Sequence, residues 1–249
     1  MSEDINRIIE KAEELCTLCE EEEAEELIRE ELKSRPKDLD LKTELAIILS
    51  RRGFDQRTES ILKDVLTTDP SHERATSALG NLLGNSLRTE DAEELFKAYL
   101  EKYPHGHIVL DDYSRLLYDS DRVDEALNLG RKHISNYPQE LAAYDALKYV
   151  LEMQEDDLAS ELSDDPDDLT RLMRYLENLA EQYLVLTKMM NCETVVNCAS
   201  DELSDDIGED MQRVVAEIRE IRNQYNYDER NLAKSLLEKI REILSVTDE

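Results

Sequence analysis

Apolar side chains recur along this chain at a spacing far longer than a helical turn. Leucine stands at Leu15, Leu49, Leu83 and Leu117, each 34 residues after the last, and one further period reaches Leu151. Three positions before each of the first four sits a small residue: Ala12, Ala46, Gly80 or Ser114. Ala24, Thr58, Ala92 and Ala126 share a second register, Leu32, Leu66, Leu100 and Ile134 a third, and Pro36, Pro70, Pro104 and Pro138 close the periods. A period of this length predicts a helical repeat, each unit made of two antiparallel helices. The small residues mark where the two backbones cross, the leucines fill the interface, and the later aliphatic residue packs on the next unit. Proline then ends the second helix, because it lacks an amide donor and its ring clashes with the preceding turn. The expected pairs are 3–19 with 21–34, 38–52 with 55–68, 72–86 with 89–102 and 106–119 with 122–136. A fifth first helix is expected at 139–153, with Tyr144, Leu147 and Leu151 in register.

The pattern predicts three regions: repeats over 1–154, an acidic linker at 155–168 and a helical region over 169–249. The linker expectation rests on eight acids, no base and Pro166, since like charges repel along a helix and proline interrupts it. Beyond it, Leu169, Leu172, Leu176, Leu179, Tyr183, Leu186 and Met190 predict a helix over 168–190. Met211, Val214, Ile218, Ile221 and Tyr225 predict another, and Leu232, Leu236, Ile240, Ile243 and Leu244 a third, with a hairpin turn at 226–228. A repeat array needs its last apolar edge covered, so these helices are expected to form a cap. The alternative is self-association, with the stripe of 208–246 packed on its counterpart in a homodimer.

The period and its small, leucine, alanine and proline register resemble the tetratricopeptide repeat family. The runs Asp91–Pro104 (DAEELFKAYLEKYP) and Arg122–Pro138 (RVDEALNLGRKHISNYP) are similar to its second helix and closing turn. The likeness covers four units from Asn6 to Pro138, roughly half the chain; it departs at Lys42 and Thr76, where the family carries a large side chain, and at Gly130, where a bulky one is usual. The resemblance implies an all-α fold, a right-handed α-solenoid of antiparallel helix pairs with a C-terminal helical cap. It also implies a concave groove, lined by the first helices, that receives an extended peptide or a partner helix. By helical phase that groove would show Ile9 and Glu13, then Thr43, Ile47 and Arg51, then Arg74, Ser77 and Asn81. It would continue with Asp111, Arg115 and Tyr118 and end at Asp145 and Tyr149. Some family members grip a terminal carboxylate with a clamp of lysine, asparagine and arginine. Here only Asn81 fits that clamp, with Ile9 and Glu13 at the sites of its lysine and asparagine, so no such clamp is expected. Arg51, Arg74 and Arg115 would either pair with Glu13, Asp111 or Asp145, or fix an acidic or carbonyl-rich segment of a partner.

Charge narrows the partners. Sixty acidic residues against 30 basic ones leave a formal charge of −30, which repels phosphate backbones and anionic membranes, so neither nucleic acid nor membrane is an expected partner. The acidity fits a solvated surface or the steering of a basic partner. There is no run of 18 apolar residues, and the chain opens on the acidic Met-Ser-Glu-Asp, so a cytoplasmic protein is expected. Two Phe, no Trp and 11 Tyr leave tyrosine to supply most of the large amphipathic contact area.

Candidate chemistry is sparse. Cys16 and Cys19, with Cys192 and Cys198, could supply four zinc ligands, but the pairs stand about 170 residues apart and free thiols are expected; a metal- or redox-responsive adaptor is the corresponding alternative. His105 and His107 flank Gly106 in an expected inter-repeat turn, and the acids lack the spacing of a calcium loop. No glycine-rich phosphate loop, HExxH or GxSxG occurs. The expectation is a non-enzymatic scaffold or adaptor, without a cofactor, that binds another protein. The alternative is a structural homo-oligomer assembled through the C-terminal helices.

Overall fold

The 34-residue register reappears as backbone geometry in a computed structural model that describes residues 3–165, 168–192, 201–225, 236, 238–240 and 243. Its helices are α1 (Glu3–Thr17), α2 (Glu21–Ser34), α3 (Leu39–Arg51), α4 (Asp55–Thr68), α5 (Glu73–Asn85), α6 (Thr89–Lys102), α7 (His107–Asp119), α8 (Val123–Asn136), α9 (Leu141–Asp164), α10 (Leu169–Met190) and α11 (Asp201–Tyr225). Among the described residues there is no strand. No described helix is both long and apolar enough to cross a membrane. The chain divides into two compact units, Met1–Leu116 and Leu117–Glu249, and the division falls within α7.

The first helix of each repeat ends the same way. Cys19, Gly53, Leu87 and Asp121 take left-handed backbone angles, with φ of 61°, 78°, 59° and 59°. That turn lets the N–H of Glu20, Phe54, Arg88 and Arg122 reach back to the carbonyl of Leu15, Leu49, Leu83 and Leu117, each at 2.9 Å. This is the helix stop in which the sixth residue bonds the first, and it satisfies a carbonyl the helix would otherwise leave open. Each register leucine therefore packs with its side chain and anchors the turn with its backbone.

The second helices stop on their prolines. Arg35, Asp69, Tyr103 and Tyr137, the residues before them, sit at φ −131°, −134°, −128° and −132°. A following proline ring disfavours the helical region for its neighbour, and each of these four still donates its N–H to the carbonyl four residues back. The next first helix starts on a cap: Asp38 accepts from the Leu41 N–H at 3.0 Å, and His72 Nδ1 from the Ala75 N–H at 3.3 Å.

In the first unit α1 packs on α2, α3 on α4 and α5 on α6, while α2–α3 and α4–α5 contacts join successive pairs. The crossings work by matched size. Ala12 and Ala46 are wholly buried, as are Ile28 and Leu62 at the register facing them. In the third pair the exchange is more extreme: the Phe96 ring fills the space where a Cβ of Gly80 would stand. Thr58, at the alanine register, keeps its buried hydroxyl satisfied by donating to the Ala46 carbonyl at 3.2 Å.

The second unit packs α8 on α9, α9 on α10 and α10 on α11. Gly130, where a bulky side chain was expected, lets Leu147 of α9 approach; a Cβ there would lie 2.9 Å from the Leu147 Cβ. The expected acidic linker at 155–168 is a correction: α9 runs unbroken to Asp164. Leu158 and Leu162 turn inward and are 2% and 1% exposed, and the acids find cations far along the chain. Arg213 binds Glu155 at 2.9 Å, Arg174 binds Glu161 at 3.0 Å, and Arg171 donates to the Glu161 carbonyl at 2.6 Å. Asp168 then caps α10 by accepting from the Thr170 and Arg171 N–H groups.

The stripe on α11 is already used within this unit, with Val214, Ile218 and Ile221 buried. Leu236, Ile240 and Ile243 are helical and buried, whereas the hairpin turn at 226–228 and the remaining positions of the last expected helix lie outside the described residues.

Candidate ligand-binding face

The first helices of the first unit lie side by side, α1 against α3 and α3 against α5. Residues one period apart therefore line up across them. One such row is Glu13, Ile47, Asn81 and Arg115, of which Glu13 and Arg115 are exposed and Ile47 and Asn81 half-buried. Because these side chains stand on packed helices, their positions are set by the core behind them.

Arg74 is the centre of the face. Its Nη2 donates to Glu13 of α1 at 3.0 Å and to Glu44 of α3 at 2.8 Å, so one guanidinium on α5 ties three helices together. Glu44 is 1% exposed on its side chain. Burial pushes its carboxyl above the ordinary glutamate value, and Arg74 pulls in the opposite direction without cancelling that rise. A second knot lies on α5 and α7, where the Ser77 hydroxyl and the Arg115 guanidinium both donate to the buried Asp112.

The expected groove residues are therefore not equivalent. Ile9 and Thr43 are buried, and the Thr43 hydroxyl donates back to the Leu39 carbonyl at 2.8 Å, so they contribute core and not surface. Ile47, Ser77, Asn81 and Asp111 are half-buried; Arg51 is exposed, and among the described residues no carboxylate pairs with it. Arg74 does meet Glu13 as expected. Arg115 meets Asp112. Tyr118, Asp145 and Tyr149 belong to the second unit, where the Tyr118 hydroxyl donates to the Met153 carbonyl at 2.9 Å and to Asp157. Burial and then Asp157 push the Tyr118 phenol well above its usual range. Asp145 and Tyr149 are exposed.

Glu44 and Asp112 escaped the helical-phase projection, yet a signal was present. They stand two periods apart at a register that carries Glu10 in α1 and Ala78 in α5, so an acid recurs there in three of the four repeats, and only Glu44 and Asp112 of the three are buried.

The cysteines offer less. Cys16 and Cys192 are buried and Cys19 is exposed; burial pushes the thiols of Cys16 and Cys192 upward, which keeps them protonated and unreactive at neutral pH. Cys198 lies outside the described residues. Among the described residues no three His, Cys, Asp or Glu side chains come together as metal ligands.

No family model and no curated protein matches the chain. Solved structures similar to it include TTC0263, a thermophilic TPR protein of Thermus thermophilus, which is 17% identical, with 70% of this chain and 98% of that one covered at a TM-score of 0.48. A tetratricopeptide repeat protein of Parabacteroides merdae is 16% identical, with both chains covered in full at a TM-score of 0.44. MamA from Desulfovibrio magneticus is 16% identical, with 79% of this chain and 99% of that one covered at a TM-score of 0.42. The helix pairs of this chain repeat one turn geometry every 34 residues through the first four pairs.

Proposed function

We propose that this protein is a non-enzymatic scaffold that holds a peptide or helix of another protein along the first-helix face of its repeats. The observation that carries the reading is the row Glu13, Ile47, Asn81 and Arg115, which offers an apolar contact between polar groups on rigid helices. Among the described residues the Asn81 amide makes no side-chain hydrogen bond, so its donors and acceptor stand open to a ligand backbone. Arg74, held by Glu13 and Glu44, fixes the face, and preorganised side chains lose little entropy on binding. A homo-oligomer through residues 208–246 draws no comparable support, since Val214, Ile218 and Ile221 are covered within their own unit.

The test places a photo-cross-linking amino acid at Asn81 or at Ala98, an exposed position on the second helix of the same repeat, in cells that produce the full chain. The expected outcome is one protein trapped from Asn81 and not from Ala98, with the yield lowered by Arg115→Ala. Equal trapping at both positions, or trapping of nothing but a second copy of the chain, would refute the reading.

A further inference from the structure

The second helices carry a basic, apolar-floored site of a different kind. At the turn between α3 and α4 the chain leaves Gly53 and presents Phe54, 39% exposed, at the start of α4. Two guanidiniums lie over its ring, Arg52 at 5.3 Å and Arg57 at 5.6 Å from the ring centre. Arg52 is neutralised by Glu22 and Glu25. Arg57 is not: among the described residues no carboxylate pairs with it, on a chain with two acids for every base.

Next to Arg57 is a shallow hollow of about 360 Å³ between α2 and α4, lined by Arg29, Leu45, Leu49, Arg57, Ser60 and Ile61. Leu45, Leu49 and Ile61 are the apolar lining; Leu45 and Leu49 belong to the packed core, so they are held in place. Arg57 from α4 contributes the cation without a carboxylate partner among the described residues, Arg29 from α2 is already paired with Glu25, and none of the lining residues is acidic. Glu25 binds both Arg29, at 2.6 Å, and Arg52, which fixes the wall on α2. A space near the lower end of the range of ligand clefts, with an apolar floor and the Arg57 guanidinium at its edge, fits one large side chain flanked by a carboxylate.

We propose that this hollow docks a short acidic segment of a partner protein, with an aromatic or large aliphatic side chain on Leu45, Leu49 and Ile61 and a flanking carboxylate on Arg57. Charge complementarity selects the occupant. A basic segment would leave Arg57 facing like charge, and a purely apolar one would bury a guanidinium without a partner. The surface is built by α2, α3 and α4 and does not use Arg74, Asn81 or Arg115, so it stands independently of the first-helix face.

The test uses the fluorescein-labelled peptide EDEFDE against the full chain by anisotropy at about 0.15 M salt, where a screening length of about 8 Å removes the distant acids from play. Two control peptides follow, EDESDE without the aromatic ring and QNQFNQ without the charges. The proposal expects saturable binding of EDEFDE alone, weakened about tenfold or more by Arg57→Glu and by Ser60→Trp, which fills the hollow. Arg74→Ala should leave it unchanged. Thermal unfolding of both binding variants should match the parent, since Arg57 and Ser60 are exposed. Equal binding of EDESDE, an unchanged affinity in Arg57→Glu, or no binding at all would overturn it. So would a concentration-dependent dimer of the parent that Arg57→Glu dissolves, because the occupant would then be a second copy of the chain.

Discussion

In Met1–Leu116 the helix crossings are closed by carbon against carbon, a small residue on one helix receiving a large one from the next. In Leu117–Glu249 the contact of α9 with α10 is joined by buried amides as well. Asn178 of α10 donates to the Leu151 carbonyl and to Gln154 of α9, both at 3.0 Å. Gln182 donates to Glu155 at 2.7 Å and to Asn178 at 2.8 Å, and Arg213 of α11 closes the network on Glu155 and on Gln182 at 3.1 Å. Asn178 and Gln182 are buried. The difference shows two ways of specifying a helix contact. Size matching repeats easily, because each pair needs the same two volumes. A buried network is specific to one arrangement, since every member left unpartnered has a desolvation cost, and it suits a region that occurs once.

The largest way to break this contrast is Phe96→Ala, which empties the centre of the third crossing and should destabilise the first unit by about 3–5 kcal/mol in urea unfolding. Gly80→Ala forces a methyl into the Phe96 ring and should cost about 1–3 kcal/mol. Adding Phe96→Leu to Gly80→Ala recreates the Ala46 and Leu62 pairing of the repeat before and should recover part of that loss. A double variant no better than the sum of the two would mean that size matching does not hold the crossing together.

In the second unit Asn178→Ala should cost about 1–3 kcal/mol, because the Leu151 carbonyl, Gln154 and Gln182 each lose one hydrogen bond inside the protein. Hydrogen exchange should then quicken in α9 and α10 and stay unchanged in α1–α5. Uniform quickening would dissolve the distinction between the units.

A smaller effect comes from the shared turn. Leu87 sits at φ 59° and is 90% exposed, so it bears the left-handed strain without a packing return. Leu87→Gly should raise stability by about 0.5–1 kcal/mol, read as a higher urea midpoint. The reverse change, Gly53→Ala, should lower it by a similar amount.

The finest probe is pH. The carboxyl of Glu44 is raised by burial, so on acidification the folded chain takes up its proton before the unfolded chain does. Stability relative to Glu44→Gln should therefore rise as the pH falls from neutral toward the ordinary glutamate value of 4.5, and be lost again as the pH rises through the folded pKa. Parallel pH curves for the two proteins would show that Arg74 offsets the burial completely.

Much of this was legible in advance, for a local reason. Proline at 36, 70, 104 and 138, the register leucines and the small residues act within one helix pair, so helix borders and crossings could be read from a single period. The first-helix face was legible only in part, because helical phase points a side chain to within a sector and cannot say whether a neighbour covers it. Phase alone therefore puts Thr43 on the surface although it is buried, and does not reveal that Arg115 meets the buried Asp112. The acidic stretch at 155–168 reads as a linker for the complementary reason: along the chain it holds eight like charges and no base. Arg171, Arg174 and Arg213 reach Glu161 and Glu155 only after α10 and α11 have folded back, and Leu158 and Leu162 find their core by the same fold. Periodicity, turn chemistry and net charge are properties of neighbours in sequence and could be computed from the letters alone. Which carboxylate is buried, which cation it meets and which hollow stays open depend on distances between residues far apart in the chain, and these exist only once the helices have packed.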